Sequence, residues 1–92
     1  MSEPCCVNLR NYIIHLLSNY YRYFSKDTVL NSDGRRLLNE LIREGMKCNP
    51  SLRKLFRKVR KNPTLSNIIR LSEEVLGTEL TMELVRESIY YP

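Results

Sequence analysis

The chain has 92 residues, a net charge of +5 and 42% hydrophobic residues, which suits one small folded domain and is too short for two. Three cysteines without CxxC spacing and a single histidine indicate neither a disulfide framework nor a zinc site. We therefore expect reduced cysteines in a reducing compartment. The longest apolar stretch, residues 12–17, is far too short to span a bilayer, and no secretory signal is visible.

The first predicted helix covers residues 7–24, and residues 1–6 before it are expected to be flexible. Its apolar residues recur on one stripe at helical spacing, at Leu9, Ile13, Leu16, Leu17, Tyr20 and Phe24. His15 lies inside this stretch and is interpreted as a packed or interfacial residue. A loop over residues 26–31 follows, and Ser32 is expected to cap a second helix that runs to about Lys47.

Two similar dipeptides, Asn49-Pro50 and Asn62-Pro63, each place an Asn cap before a Pro at the first helical position. They predict a third helix through Lys61 and a fourth that ends at Gly77. Thr78 or Thr81 is expected to cap a short last helix. No segment alternates with period two, so residues 1–92 are predicted to form one all-α domain, a small bundle of four to five helices. Its predicted core contains Ile13, Leu17, Leu41, Phe56, Ile69 and Leu76.

Positive charge is concentrated in the middle of the chain, where residues 32–61 carry ten basic and three acidic side chains. Within residues 52–61, apolar side chains at i, i+3, i+4 and i+7 predict one buried helical stripe. Every other position is basic: Arg53, Lys54, Arg57, Lys58, Arg60 and Lys61. Such a run is compatible with a solvated helix face, but it also offers concentrated charge to an acidic partner.

Groups that could perform catalysis are scarce in this sequence. There is no glycine-rich phosphate loop, no Ser/His/Asp set and no metal-ligand spacing, and adjacent Glu73 and Glu74 do not share a helix face. We therefore predict a binding protein with no catalytic residue, no metal and no intrinsic cofactor.

One resemblance to a known family covers roughly residues 13–76. Part of the first helix is similar to the Leu-Tyr-Arg motif of the LYR family of small mitochondrial proteins, through Leu17, Tyr20, Tyr21, Arg22, Phe24 and Lys26. Tyr20 stands where that family has leucine. Phe56-Arg57 and Ile68 resemble the later Phe-Arg and isoleucine of the family.

The resemblance implies an adaptor, assembly factor or accessory subunit of the mitochondrial matrix. Its acidic partner would be an acyl carrier protein, whose acyl-phosphopantetheine would be the only cofactor involved. The implied partner-binding residues are Tyr21, Arg22 and Lys26 together with the six basic residues of 53–61, and Arg57 is expected to join Arg22 and Tyr21 around a pocket mouth.

A nucleic acid is the alternative partner, because a basic helix also neutralises phosphates. Tyrosines would then stack on unpaired bases if they are exposed beside the basic face. In that case the protein would be a small intracellular RNA-binding or ribonucleoprotein module. Peripheral attachment to a membrane surface is less favoured, since the apolar face of residues 52–61 is modest.

Overall fold

A computed structural model describes the backbone of residues 4–89 and the side chains of residues 7–89. It contains six α-helices, α1 Pro4–Ser18, α2 Tyr20–Tyr23, α3 Ser32–Cys48, α4 Arg53–Lys61, α5 Leu65–Leu76 and α6 Thr78–Ser88, and a 3₁₀ turn at Pro50–Leu52. The described residues form two isolated β-bridges and no strand. The predicted all-α small bundle is therefore confirmed. Residues 1–3 of the predicted flexible N-terminus lie outside the described residues.

The first predicted helix begins earlier than expected, at Pro4, and is divided at Asn19 into α1 and α2. Asn19 has φ −118° and ψ 46°, outside helical geometry. Its side-chain amide donates to the carbonyl of His15 at 2.8 Å. Short polar side chains of this kind compete with the helix for backbone partners. The prediction of one helix over residues 7–24 is therefore wrong at Asn19, and the bundle has six helices where four or five were expected.

Helix α3 is capped one residue earlier than predicted. Asn31 is the N-cap, and its side chain accepts a hydrogen bond from the N–H of Gly34 at 2.9 Å. The same side chain donates to the carbonyl of Arg22 at 2.8 Å. Ser32 is already the first helical residue. Asn31 thus fixes the start of α3 against the end of α2.

The two Asn-Pro dipeptides have different structural roles. Asn49-Pro50 opens the 3₁₀ turn that leads into α4. Pro63 is buried and not helical, and its carbonyl accepts a hydrogen bond from the N–H of Leu30 at 2.9 Å. Thr64 caps α5 instead, by accepting from the N–H of Asn67 at 3.3 Å. The expectation that Pro63 starts a helix is therefore wrong.

Helix α5 ends at Gly77 as predicted, with φ +93° at that glycine. Helix α6 begins directly afterwards at Thr78 and has no side-chain cap. Thr81, the other expected cap, lies inside α6 and is fully buried, with its hydroxyl 2.7 Å from the hydroxyl of buried Ser72. This pair of hydroxyl groups joins α5 to α6 within the core.

The core gathers side chains from all six helices, including Tyr23 of α2 and Val85 of α6. Four predicted members, Ile13, Leu17, Leu41 and Phe56, are at most 1% exposed. The predicted member Leu76 is half-buried and packs against the core. Ile69 is half-buried, and α5 contributes its buried side chains through Ile68 and Leu71.

The prediction that all cysteines are reduced thiols is wrong for Cys48, which is disulfide-bonded. Cys48 is half-buried and packs against the core at the end of α3.

Candidate functional site: the basic helix α4

Helix α4 is held in the bundle by two buried side chains. Phe56 is 1% exposed and Val59 is fully buried, and Leu52 and Leu55 pack half-buried beside them. All six predicted cations on this helix, Arg53, Lys54, Arg57, Lys58, Arg60 and Lys61, are exposed. The predicted amphipathic character of this segment is confirmed, and the buried stripe fixes the direction in which the charge is displayed.

Part of the charge on α4 opposes the stability of the helix itself: Lys58, Arg60 and Lys61 in the last turn suit the helix dipole, but the first-turn cations and the like-charge pairs are unfavourable. Its first turn contains no acidic residue, although Arg53 and Lys54 lie there. A cation near a helix N-terminus opposes the helix dipole, an effect of about 0.3–1 kcal/mol for each charge at low ionic strength. Like charges also face each other at i, i+4, as in Arg53 with Arg57 and Arg57 with Lys61, and each such pair costs about 0.2–0.5 kcal/mol.

Neighbouring carboxylates do not relieve this repulsion. The ion pairs of the described residues lie on α3, between Arg43 and Glu40 at 3.5 Å and between Lys47 and Glu44 at 3.6 Å. The cations of α4 therefore face solvent without an acidic partner in the described part of the chain. This surface, Arg53 to Lys61 on its exposed side, is called the basic face below.

Both ends of α4 are tied to the rest of the bundle. Before the helix, the N–H of Asn49 donates to the carbonyl of Gly45 at 2.7 Å, which joins the turn at Pro50–Leu52 to the end of α3. After the helix, the chain is held to the loop over residues 25–31: Leu30 donates to the carbonyl of Pro63, and Leu65 donates to the carbonyl of Thr28 at 2.8 Å. The basic face is therefore presented on a helix with fixed ends.

A groove of about 260 Å³ lies along the junction of α3 and α4, lined by Asn39, Ile42, Arg43 and Arg60. Arg60 follows Phe56 by one helical turn, so it lies at the α3 edge of the basic face. Arg57 follows Arg53 by one turn and points away from the buried stripe. On sequence grounds Arg57 is expected at a pocket mouth, and Arg43 is not among the predicted binding residues. The packing of α4 against α3 brings Arg43 and Arg60 together, although they are 17 positions apart in the sequence.

The other predicted binding residues lie in two separate grooves. Tyr21 and Lys26 line one with Ile89 at the end of α6, and the hydroxyl of Tyr21 donates to the carbonyl of Ile89 at 3.1 Å. Arg22 lines another with Asp33 of α3. Arg57 lines neither groove. A shared pocket mouth of Arg57, Arg22 and Tyr21 is not among the described grooves.

His15 is exposed at the end of α1 and belongs to a local hydrogen-bond network. Its Nε2 lies 2.9 Å from the hydroxyl of Tyr23, and its Nδ1 lies 3.3 Å from the side-chain amide of Asn19. These contacts join α1 to α2 across the break at Asn19. His15 therefore acts at a junction between helices. Its interpretation as a packed residue is wrong because the side chain is exposed, and a role at an interface stays a prediction.

Among the described residues, no group of three or more His, Cys, Asp or Glu side chains is placed to hold a metal ion. None of the helices in that part of the chain is both long and apolar enough to cross a membrane.

No known protein family, curated protein or solved structure matches this chain. The resemblance to the LYR family therefore stays a prediction.

Proposed function

We propose that the protein is a non-enzymatic binding protein whose basic face docks an acidic protein partner. The observation that carries this proposal is the cost of the basic face to the protein itself. Six exposed cations occupy one nine-residue helix, two of them in the first turn, and they have no acidic partner among the described residues. Residues that violate a local stability rule often mark functional surfaces.

An acidic partner removes the repulsion that the isolated protein retains. Carboxylates docked between Arg53, Arg57 and Lys61 would replace unfavourable like-charge pairs with favourable ones. Because α4 is anchored by Phe56 and by both of its ends, little backbone ordering would accompany binding. The partner should therefore stabilise the fold against thermal unfolding, and the effect should weaken with salt.

A protein partner is favoured over a nucleic acid by the position of the aromatic residues. Tyr21 is 66% exposed, but it lines a groove with the end of α6 and none of the residues of α4. Stacking of bases beside the basic face, the expected second component of single-strand binding, has no support from this arrangement. The cations alone still attract phosphates, so RNA is the alternative outcome of the test.

The LYR resemblance would narrow the partner further. If the chain is LYR-like, the acidic partner is an acyl carrier protein carrying acyl-phosphopantetheine, and the protein is an adaptor, assembly factor or accessory subunit in the mitochondrial matrix. Tyr21, Arg22 and Lys26 would then contribute to binding together with the basic face.

The test measures binding of an acyl carrier protein and of a labelled single-stranded RNA by fluorescence anisotropy at two salt concentrations. Arg57→Glu should weaken binding strongly, whereas Arg86→Glu, the same charge change on exposed α6, is the matched control and should have little effect. Recovery of an acidic protein from native extract after nuclease treatment supports a protein partner. Loss of all partners on nuclease treatment supports the RNA alternative, and equal effects of both variants refute a role for α4.

A further inference from the structure

The α3–α4 groove brings two guanidinium groups from different helices to one place. Arg43 and Arg60 both line it, and the exposed amide of Asn39 lies beside them. The described partner of Arg43 is Glu40, through a single contact of 3.5 Å between side chains that are 64% and 46% exposed. Pairs this exposed contribute little free energy, so Arg43 is available to a better acceptor.

The groove has an apolar part as well as a charged one. Ile42 is half-buried and forms its wall beneath Arg43 and Arg60. The volume of about 260 Å³ lies below the roughly 300–1,000 Å³ of sites that enclose a small molecule. The space therefore suits one or two side chains of a docked protein better than a free metabolite.

We propose that this groove is the specificity site of the basic face, and that it receives a carboxylate and a neighbouring aliphatic side chain from an acidic helix of the partner protein. This inference rests on the proposed function and identifies which side chains of the partner are recognised. The carboxylate bridges Arg43 and Arg60, whose planar guanidinium groups bind two oxygens at once. The aliphatic neighbour covers Ile42.

The groove and the rest of the basic face should differ in how strongly salt weakens their contacts. Arg53, Arg57 and Lys61 point to solvent, and at physiological salt their attraction is screened beyond about 8 Å. They raise the rate of encounter with any polyanion. A carboxylate held between the two arginines becomes shielded from water once the partner's aliphatic side chain covers Ile42, so this contact persists at higher salt. A nucleic acid backbone brings phosphates but no aliphatic group to cover Ile42, which is why a protein helix fits this groove.

The test uses two labelled helical peptides of equal negative charge as probes. One carries Glu and Leu four residues apart, and in the other Gln replaces Leu. Wild-type protein should bind the Leu peptide more tightly, and the preference should remain when salt is raised. Arg60→Lys and Arg43→Lys keep the charge but lose the planar fork, so each should weaken binding of the Leu peptide about ten- to a hundredfold, the range expected for a lost charged hydrogen bond.

Arg70→Lys is the matched control, because Arg70 is an exposed arginine of α5 that lies outside the basic face and does not line the groove. Its affinity should equal that of wild type, and thermal unfolding should show that all three variants fold alike. If Arg60→Lys and Arg70→Lys behave identically and the peptides bind equally, the groove inference is overturned while the proposed docking on α4 stands. If neither peptide binds the wild type at low salt, both are overturned.

Discussion

The contact between Gly45 of α3 and Phe56 of α4 makes the Gly45→Ala variant informative. A Cβ added to Gly45 would lie 2.4 Å from Cζ of the Phe56 ring and 3.0 Å from both Cε atoms. The ring is 1% exposed and packed on all sides. It cannot retreat without disturbing the core that holds the basic helix.

Two opposing effects set the size of the change. Overpacking a close-packed core typically costs about 1–3 kcal/mol. Replacing glycine by alanine inside a helix contributes about 1 kcal/mol in the other direction. We therefore expect Gly45→Ala to lower the free energy of unfolding by up to about 2 kcal/mol.

A second substitution isolates the contact. Phe56→Leu removes the ring atoms that meet the new methyl group, so Gly45→Ala should become neutral or stabilising in that background. Urea unfolding of the wild type, both single variants and the double variant gives the coupling between the positions, expected to exceed about 1 kcal/mol. Simple additivity of the two changes would refute the close approach of α3 and α4 at this point.

Three further substitutions test other elements of the fold. Ser72→Ala leaves the buried hydroxyl of Thr81 without its hydrogen-bond partner and should lower the free energy of unfolding in urea by about 1–3 kcal/mol. Adding Thr81→Val should recover part of that loss, and no recovery would contradict the pairing of the two hydroxyl groups. Asn31→Ala removes the cap of α3 and should cost about 0.5–2 kcal/mol by the same assay, so an unchanged unfolding midpoint would argue against the cap. Gly77→Ala meets no atom within 4 Å, but φ +93° and ψ 159° lie in a region essentially restricted to glycine, so the variant should have a lower melting temperature through strain of about 1–3 kcal/mol; an unchanged melting temperature would place Gly77 in another conformation.

The helices that are strongly periodic were predictable from sequence. The four apolar residues of residues 52–61 lie on one face of α4, and all other positions are basic, so only this face can pack against the core. Phe56 and Val59 are buried accordingly. The end of α5 at Gly77 follows from the ease with which glycine adopts a positive φ. Such features depend on local chemistry alone, so no tertiary information was needed.

The junctions between helices were harder to predict, because their residues choose between several local partners. Asn19 interrupts an otherwise regular apolar stripe by bonding to the carbonyl of His15, and an asparagine at the same position on a solvated surface could remain helical. Pro63 does not start a helix because its carbonyl accepts a hydrogen bond from the N–H of Leu30. Leu30 is distant in sequence, so this contact is not visible in the local pattern around Pro63. The choice between adjacent Ile68 and Ile69 as the fully buried residue of α5 likewise depends on tertiary packing, and Ile68 is the one that is 1% exposed.

The candidate site shows the same division between local and tertiary information. The six cations of α4 are visible in the sequence as a run without acids. The groove containing Arg43 and Arg60 is not, because it requires the packing of α4 on α3. A sequence pattern can therefore indicate that a surface attracts acidic partners, but the choice among such partners depends on tertiary contacts.

The attachment of α4 to the loop over residues 25–31 gives the protein a built-in reporter of binding. The amide protons of Leu30 and Leu65 are donated to Pro63 and Thr28, on opposite sides of this connection. A displacement at the end of α4 would change the geometry of these two hydrogen bonds, and the chemical shift of an amide proton depends on that geometry. The amide resonances of Leu30 and Leu65 would then register occupancy of the basic face, and their titration would follow a partner that carries no label.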